Sequence, residues 1–254
     1  MSWQTGLDMQ NVLKSQLKNG KTTFGVTVTI GSPEVPYALG SLGLDWVNFD
    51  GQHSVLNNSM ISEMIQALGS SKTVPIVRVL SNDLGQINKA LDMGAQAVIV
   101  PLVNTREEAE KAVRSAKYSP PGSRSYGSRV SLRDPEYTTT ADNELMIIPQ
   151  VETAVALKNV EEIVTTDGVD AVFCGPYDLS MSLGIFRQFD DPKYQRAIES
   201  FISACEAHDV APGLLAPTGP VQKDIKRGFK LISLGGDVSF LIKGVGDMLK
   251  AAKQ

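Results

Sequence analysis

Residues 146–180 read MIIPQVETAVALKNVEEIVTTDGVDAVFCGPYDLS. Within them MIIPQV (146–151) and AVFCGP (171–176) are short apolar runs that read as buried strands, each followed by a carboxylate, Glu152 and Asp178. Between the runs, TAVALKNVEEIV (153–164) carries apolar residues at helical spacing, which predicts a strand–helix–strand unit. A right-handed crossover sets two such strands parallel, with their C-terminal ends on one face. Glu152 and Asp178 are thereby expected on the same rim, an oxygen pair of the kind that holds a hard divalent cation.

The alternation continues on both sides. FGVTVTI (24–30), DWVNFD (45–50), VPIVRV (74–79) and AQAVIVP (95–101) are the earlier strands; APGLLA (211–216) and KLISLGG (230–236) are the later ones. Helices are expected over 33–43, 59–69, 83–94, 105–118, 192–209, 219–228 and 238–253, with a lead-in helix, LDMQNVLKSQLKNG (7–20), that stops at Gly20. Ser119–Asn143 reads as one long irregular stretch, broken by Pro120, Pro121, Gly122 and Gly127. Loops of that length in a compact domain are usually functional or mobile. About eight strand–helix repeats predict a (β/α)8 barrel spanning 1–254 as a single domain. A doubly wound open sheet is the rival, and it would want a phosphate-binding glycine pattern after the first strand, which is absent.

The 254 residues are 42% hydrophobic and 20% charged, as in an ordinary globule, with a net charge of −4 that argues against nucleic acid or an anionic membrane as partner. Cys174 and Cys205 are too few for a disulfide framework and lack metal-ligand spacing, so they read as buried thiols of a reducing compartment. No signal peptide or membrane-length apolar run is visible, and a cytoplasmic location is expected.

Barrel active sites are built at strand C-terminal ends. Here those ends carry Asp50-Gly51-Gln52-His53, Arg78, Gln150 with Glu152, Gly175-Pro176-Tyr177-Asp178, and Asp237. Any one of them has an ordinary structural explanation, such as a helix cap or a local ion pair. Together they would be costly to bury unless a metal or substrate balanced them. Glu152 and Asp178 would hold a cation that a 2-oxo acid can chelate. Arg78 would stabilise the ketone oxygen as it becomes an enolate, and His53, oriented by Asp50, would shuttle a proton. Lys72 and Lys89 lie away from strand ends, which counts against a Schiff-base aldolase.

LDWVNFDGQH, VPIVRV followed by ND, ALDMGAQAVIVPLV, YSPPGSRSYG, PQVET and VDAVFCGPYDLS, in this order and spacing, resemble the class II pyruvate aldolases related to 4-hydroxy-2-oxoheptanedioate aldolase. That wider family includes 2-dehydro-3-deoxyglucarate aldolase and macrophomate synthase, and the likeness covers nearly the whole chain. The resemblance implies Glu152 and Asp178 as metal ligands for Mg2+, Mn2+ or Co2+, with Gln150 nearby, and His53 with Asp50 as an acid/base dyad. It implies Arg78 on the 2-oxo acid, and the backbone of Gly175, Pro176 and Tyr177 as the segment receiving the substrate carboxylate. It further implies that Asp92 serves a neighbouring subunit's site, that the chain forms a hexamer (a trimer of dimers), and that the C-terminal helix is swapped between subunits. Pyruvate and an aldehyde would be the small-molecule partners. Two positions depart from the pattern: Gln52 stands where a glutamate is common, and Tyr177 where the residue is often small.

Decarboxylation of oxaloacetate-like acids, or cleavage of a malyl- or citramalyl-type thioester, would use the same enolate-forming residues. A thioester lyase would also need a basic groove for coenzyme A, which nothing in the sequence singles out. A catalytically silent binding barrel would be expected to lack a ligand or the dyad, and none is missing.

Overall fold

The computed structural model describes residues 10–132 and 134–253. Its eight strands are β1 (Thr23–Val28), β2 (Trp46–Asp50), β3 (Val74–Arg78), β4 (Ala97–Val100), β5 (Met146–Val151), β6 (Ala171–Cys174), β7 (Ala211–Leu214) and β8 (Leu231–Gly236). They pair in sequence order, all parallel, and β8 returns to β1 to close the barrel. The helices are α1 (Val12–Lys18), α2 (Glu34–Gly40), α3 (Asn58–Ala67), α4 (Leu84–Asp92), α5 (Arg106–Ala116), α6 (Tyr137–Glu144), α7 (Ala154–Lys158), α8 (Val160–Val164), α9 (Pro176–Ser182), α10 (Pro192–Ala207), α11 (Val221–Arg227) and α12 (Asp237–Ala252). The (β/α)8 architecture expected from the repeats is the one observed. Residues 7–9 of the anticipated lead-in helix lie outside the described residues.

Period-two alternation along the strands sorts the side chains into two layers. Trp46, Val74, Ile76, Ala97, Ile99, Met146, Ile148 and Phe173 form the barrel interior, joined by Leu13 and Leu17 of α1. Residues of opposite parity, such as Val47, Phe49, Val77, Val98, Ile147 and Val172, pack outward in the helix-facing core. Two aromatics fill the interior, Trp46 meeting Phe173 edge to face with ring centroids 5.8 Å apart. Their room comes from glycines on adjacent strands: a Cβ on Gly25 would lie 2.0 Å from the Trp46 ring, and one on Gly213 2.6 Å from Phe173. Carried upward, the inward parity of Trp46, Ile76 and Ile148 delivers Asp50, Arg78, Gln150 and Glu152 to the C-terminal mouth.

Three local expectations change. Ser119–Asn143 is not irregular throughout, because it contains a short 3-10 turn (Val130–Leu132) and most of α6, anchored by buried Tyr137. The helix expected over 153–164 breaks at Asn159, whose side-chain amide donates to the Asn104 carbonyl at 2.8 Å. A further helix, α9, follows β6 directly, with Pro176 at its first position, where the missing N–H costs nothing.

Candidate active site

Asp50 and Arg78 face each other across the β2–β3 ladder. Arg78 Nε donates to Asp50 Oδ1 at 2.9 Å and Nη2 to Oδ2 at 2.6 Å, a two-pronged pair that fixes the guanidinium plane. Burial pushes the Asp50 carboxyl up, but the pair with Arg78 and the backbone N–H groups of Gln52 and His53 outweigh it and hold the group below its ordinary value. Asp50 therefore stays ionised as the anchor of Arg78.

His53 lies on the loop after β2. Its backbone N–H donates to Asp50 Oδ1 at 3.2 Å, and its side chain is exposed at the cavity mouth. Among the described residues the imidazole has no hydrogen-bond partner, so Asp50 positions the His53 backbone and leaves the ring open to the cavity.

Glu152, just beyond β5, is only 3% exposed. Its Oε1 accepts the Leu102 N–H at 2.9 Å, and Oε2 accepts a short hydrogen bond from Gln150 Nε2. Burial, foremost, and the nearby Asp178 carboxylate raise its carboxyl from an ordinary 4.5 to about 7, against the lowering effects of these hydrogen bonds and of Arg78. Leu102 has φ of +54°, a left-handed conformation costly for a leucine, and that turn aims its N–H at Glu152. Sequence inspection misses Leu102, because the β4 end, Pro101-Leu102-Val103, carries no polar side chain to flag it.

Asp178 sits in the first turn of α9 and opens onto a cavity of about 530 Å3 together with His53, Arg78, Gln150, Gly175 and Tyr177. Gly175 is sterically required there: a Cβ would stand 2.7 Å from both Gln150 Nε2 and Glu152 Oε2.

The residues fit a divalent cation. Glu152 and Asp178 are hard oxygen donors, and Glu152 is a buried carboxylate with too little positive charge beside it. The Gln150 Oε1 atom is buried and unpaired close by. Among the described residues no three His, Cys, Asp or Glu side chains converge into a closed cage. A site with two protein carboxylates leaves positions for water and substrate oxygens, as a catalytic Mg2+-type site does.

Asp92 lies at the opposite end of the barrel, as the last residue of α4, beside a second cavity of about 620 Å3. Its carboxylate pairs with Arg124 at 2.9 Å. The Arg124 side chain is fully buried between Tyr118 and Tyr137, whose ring centroids lie 4.6 and 5.3 Å from the guanidinium carbon. Nothing in one subunit carries Asp92 to the mouth that holds His53 and Arg78. Cys174 and Cys205 are free and buried, and burial pushes both thiols up, as inert core groups.

Fold and mouth together define a (β/α)8-barrel enzyme whose rim sets a carboxylate pair beside a fixed guanidinium and an accessible imidazole. The chain belongs to the HpcH/HpaI aldolase/citrate lyase family, whose family model matches residues 28–244. It is 35% identical, over 93% of its length and 91% of the relative's, to a 4-hydroxy-2-oxo-heptane-1,7-dioate aldolase of Klebsiella pneumoniae subsp. pneumoniae. Among solved structures, an HpcH/HpaI aldolase/citrate lyase family protein from Burkholderia cenocepacia J2315 superposes with a TM-score of 0.91 at 28% identity, covering 96% of this chain and all of that one. Macrophomate synthase superposes with a TM-score of 0.81 at 27% identity, over 94% of this chain and 88% of its own.

Proposed function

We propose that the protein is a metal-dependent pyruvate aldolase that reversibly cleaves a 4-hydroxy-2-oxo acid to pyruvate and an aldehyde through the enolate of pyruvate. The observation that carries this proposal is buried Glu152, raised to about 7 with Asp178 nearby, where Asp178 lines one cavity with Arg78 and His53. Mg2+, Mn2+ or Co2+ held by Glu152 and Asp178 would act as a Lewis acid toward the 2-oxo acid. Arg78, locked by Asp50, presents its remaining donors to the ketone oxygen as it gains charge. His53 takes the proton from the 4-hydroxyl during cleavage and returns it during addition. Gln150 and the backbone of Gly175, Pro176 and Tyr177 bound the space for the 2-oxo acid.

The proposed working form is a cytoplasmic single-domain barrel assembled as a hexamer, a trimer of dimers, in which Asp92 serves the mouth of a neighbour and α12 is exchanged. The exposed apolar row on α12 supports an assembled state. No described helix is long and apolar enough to cross a membrane.

Solvent deuterium uptake into the pyruvate methyl group tests the enolate directly. Uptake is expected with Mg2+ or Mn2+, lost on chelation while the protein stays folded, and restored on adding metal back. Undiminished uptake in a verified metal-free preparation would sink the mechanism.

A further inference from the structure

Away from Arg78, His53, Gln150 and Asp178, the catalytic cavity has a largely apolar wall, with Thr27 and Ser239 as its polar side chains. Leu215, Ala216 and Pro217 line it from the end of β7, Leu234 from β8, and Tyr177 from α9. Among the described residues Arg78 is the one lysine or arginine on the wall, and two of its nitrogens are held by Asp50.

The N-terminus of α12 also borders the cavity, through Gly235, Gly236 and Ser239, and a helix start is ordinarily attractive to a carboxylate. Here a carboxylate of the chain itself already stands at that helix start. Asp237, the first residue of α12, accepts the N–H groups of Thr29, Ile30 and Val238 at 2.8–2.9 Å and the Thr29 hydroxyl at 2.8 Å. Ser239 Oγ accepts the Gly236 N–H at 3.1 Å and donates to the Gly236 carbonyl at 2.6 Å. Asp178 adds a carboxylate to the lining, and Asp50 offsets the charge of Arg78.

Tyr177 completes the wall as a braced aromatic surface. Its ring meets Phe189 edge to face at 5.5 Å, Phe189 meets Tyr194 at 5.2 Å, and the Arg187 guanidinium lies 5.9 Å from the Tyr177 ring centre. A ring held on two sides keeps its shape when a ligand arrives, which makes it suited to selecting one.

We propose that this half of the cavity is a subsite for an uncharged aldehyde, aliphatic or aromatic, and that Tyr177 is the residue that sets its selectivity. A carboxylate on the aldehyde would lose hydration against this wall, where among the described residues no lysine or arginine other than Arg78 lines the cavity and the helix start already carries Asp237. This chain would thus differ from the relatives named for a heptane-1,7-dioate, a compound with a carboxylate at each end. The inference rests on the aldolase activity proposed above.

Butanal and 4-oxobutanoate share a four-carbon chain and differ by a terminal carboxylate, so they form the test pair for addition to pyruvate with Mg2+. The wild-type protein is expected to show a kcat/KM at least tenfold higher for butanal. Tyr177→Ala should shrink that ratio severalfold, and Tyr177→Phe, which keeps the aromatic wall, should retain it. Ala216→Arg, at a half-buried position that lines the cavity, should shift the ratio toward 4-oxobutanoate by about tenfold and serves if Tyr177→Ala does not fold. Equal or reversed preference in the wild type overturns the inference, as does a ratio unmoved by both Tyr177→Ala and Ala216→Arg. If 4-oxobutanoate is preferred and Arg187→Ala removes that preference, Arg187 is the anion receptor and the subsite takes a charged aldehyde. Deuterium uptake into pyruvate separates the two failures. Uptake with the wrong aldehyde preference overturns this subsite alone, whereas no uptake and no adduct with either aldehyde overturns the aldolase activity and this inference with it.

Discussion

Burial holds the Glu152 carboxyl largely protonated up to about pH 7, although it is the residue proposed to bind a cation. The sign of the linkage follows from the raised value. Relative to the unfolded chain, the folded protein favours the protonated group, so the stability Glu152 contributes is fully present below about pH 4.5 and is lost as pH rises through about 7. Across that window the metal-free protein should lose on the order of 3 kcal/mol from this group. A bound divalent cation must displace the same proton. The apparent Mn2+ affinity should therefore climb roughly tenfold per pH unit below about pH 7 and level off above it. Titration calorimetry between pH 5.5 and 8.5 would show this, and a flat affinity across the range would remove Glu152 from the ligand set. The Asp50–Arg78 pair contrasts with it: Asp50 is held ionised by its partner, so the fixed guanidinium survives the pH change that alters Glu152.

At the scale of the element, the strands were legible because each is a short apolar run ending in polar residues, and their period-two parity carries the chemistry. Asp50, Arg78, Gln150 and Glu152 could be read off strand ends for that reason. Three features were hidden from such a reading. Leu102 acts through its backbone N–H, so its side chain gives no signal. The Asp50 carboxylate binds Arg78, a partner 28 residues away, and contacts His53 only through the backbone. The break at Asn159 depends on Asn104 of a different segment. Packing inside the barrel was equally non-local, since Gly25 is dictated by the Trp46 ring on the next strand. Gly25→Ala puts a methyl group 2.0 Å from that ring, and overpacking a filled core typically costs about 1–3 kcal/mol. Its urea midpoint should fall accordingly, and Gly25→Ala combined with Trp46→Leu should recover part of the loss. Wild-type stability in the single variant would mean that the interior is looser than the Trp46–Phe173 contact indicates.

At the scale of the molecule, α12 leaves apolar side chains without cover. Phe240, Leu241, Ile242, Val245, Met248 and Leu249 are 42–73% exposed, and Asp237 is the helix's one buried residue among those described. A contiguous apolar surface of this kind marks an interaction site. Asp92 raises a matching question from the far end of the barrel, since its carboxylate faces away from its own mouth. The proposed hexamer answers both, with α12 covered by a neighbour and Asp92 delivered to a neighbour's mouth. Light scattering should then report an assembled species, and a stable, fully active monomer would end the proposal. For Asp92 the useful change is Asp92→Asn. Alanine would strand the fully buried Arg124 cation, which typically costs about 3–5 kcal/mol, whereas asparagine keeps an oxygen for Arg124 Nη2. Asp92→Asn should lower turnover with assembly intact, and Asp178→Ala should abolish it. Unfolded and refolded together, the impaired and the inactive protein would form mixed oligomers. Some mouths would then combine the intact Asp178 of one variant with the intact Asp92 of the other, and activity should return to a fraction of wild type. Mixed oligomers that form but stay at the level of the separate variants would mean that Asp92 acts within its own subunit, through its pair with Arg124.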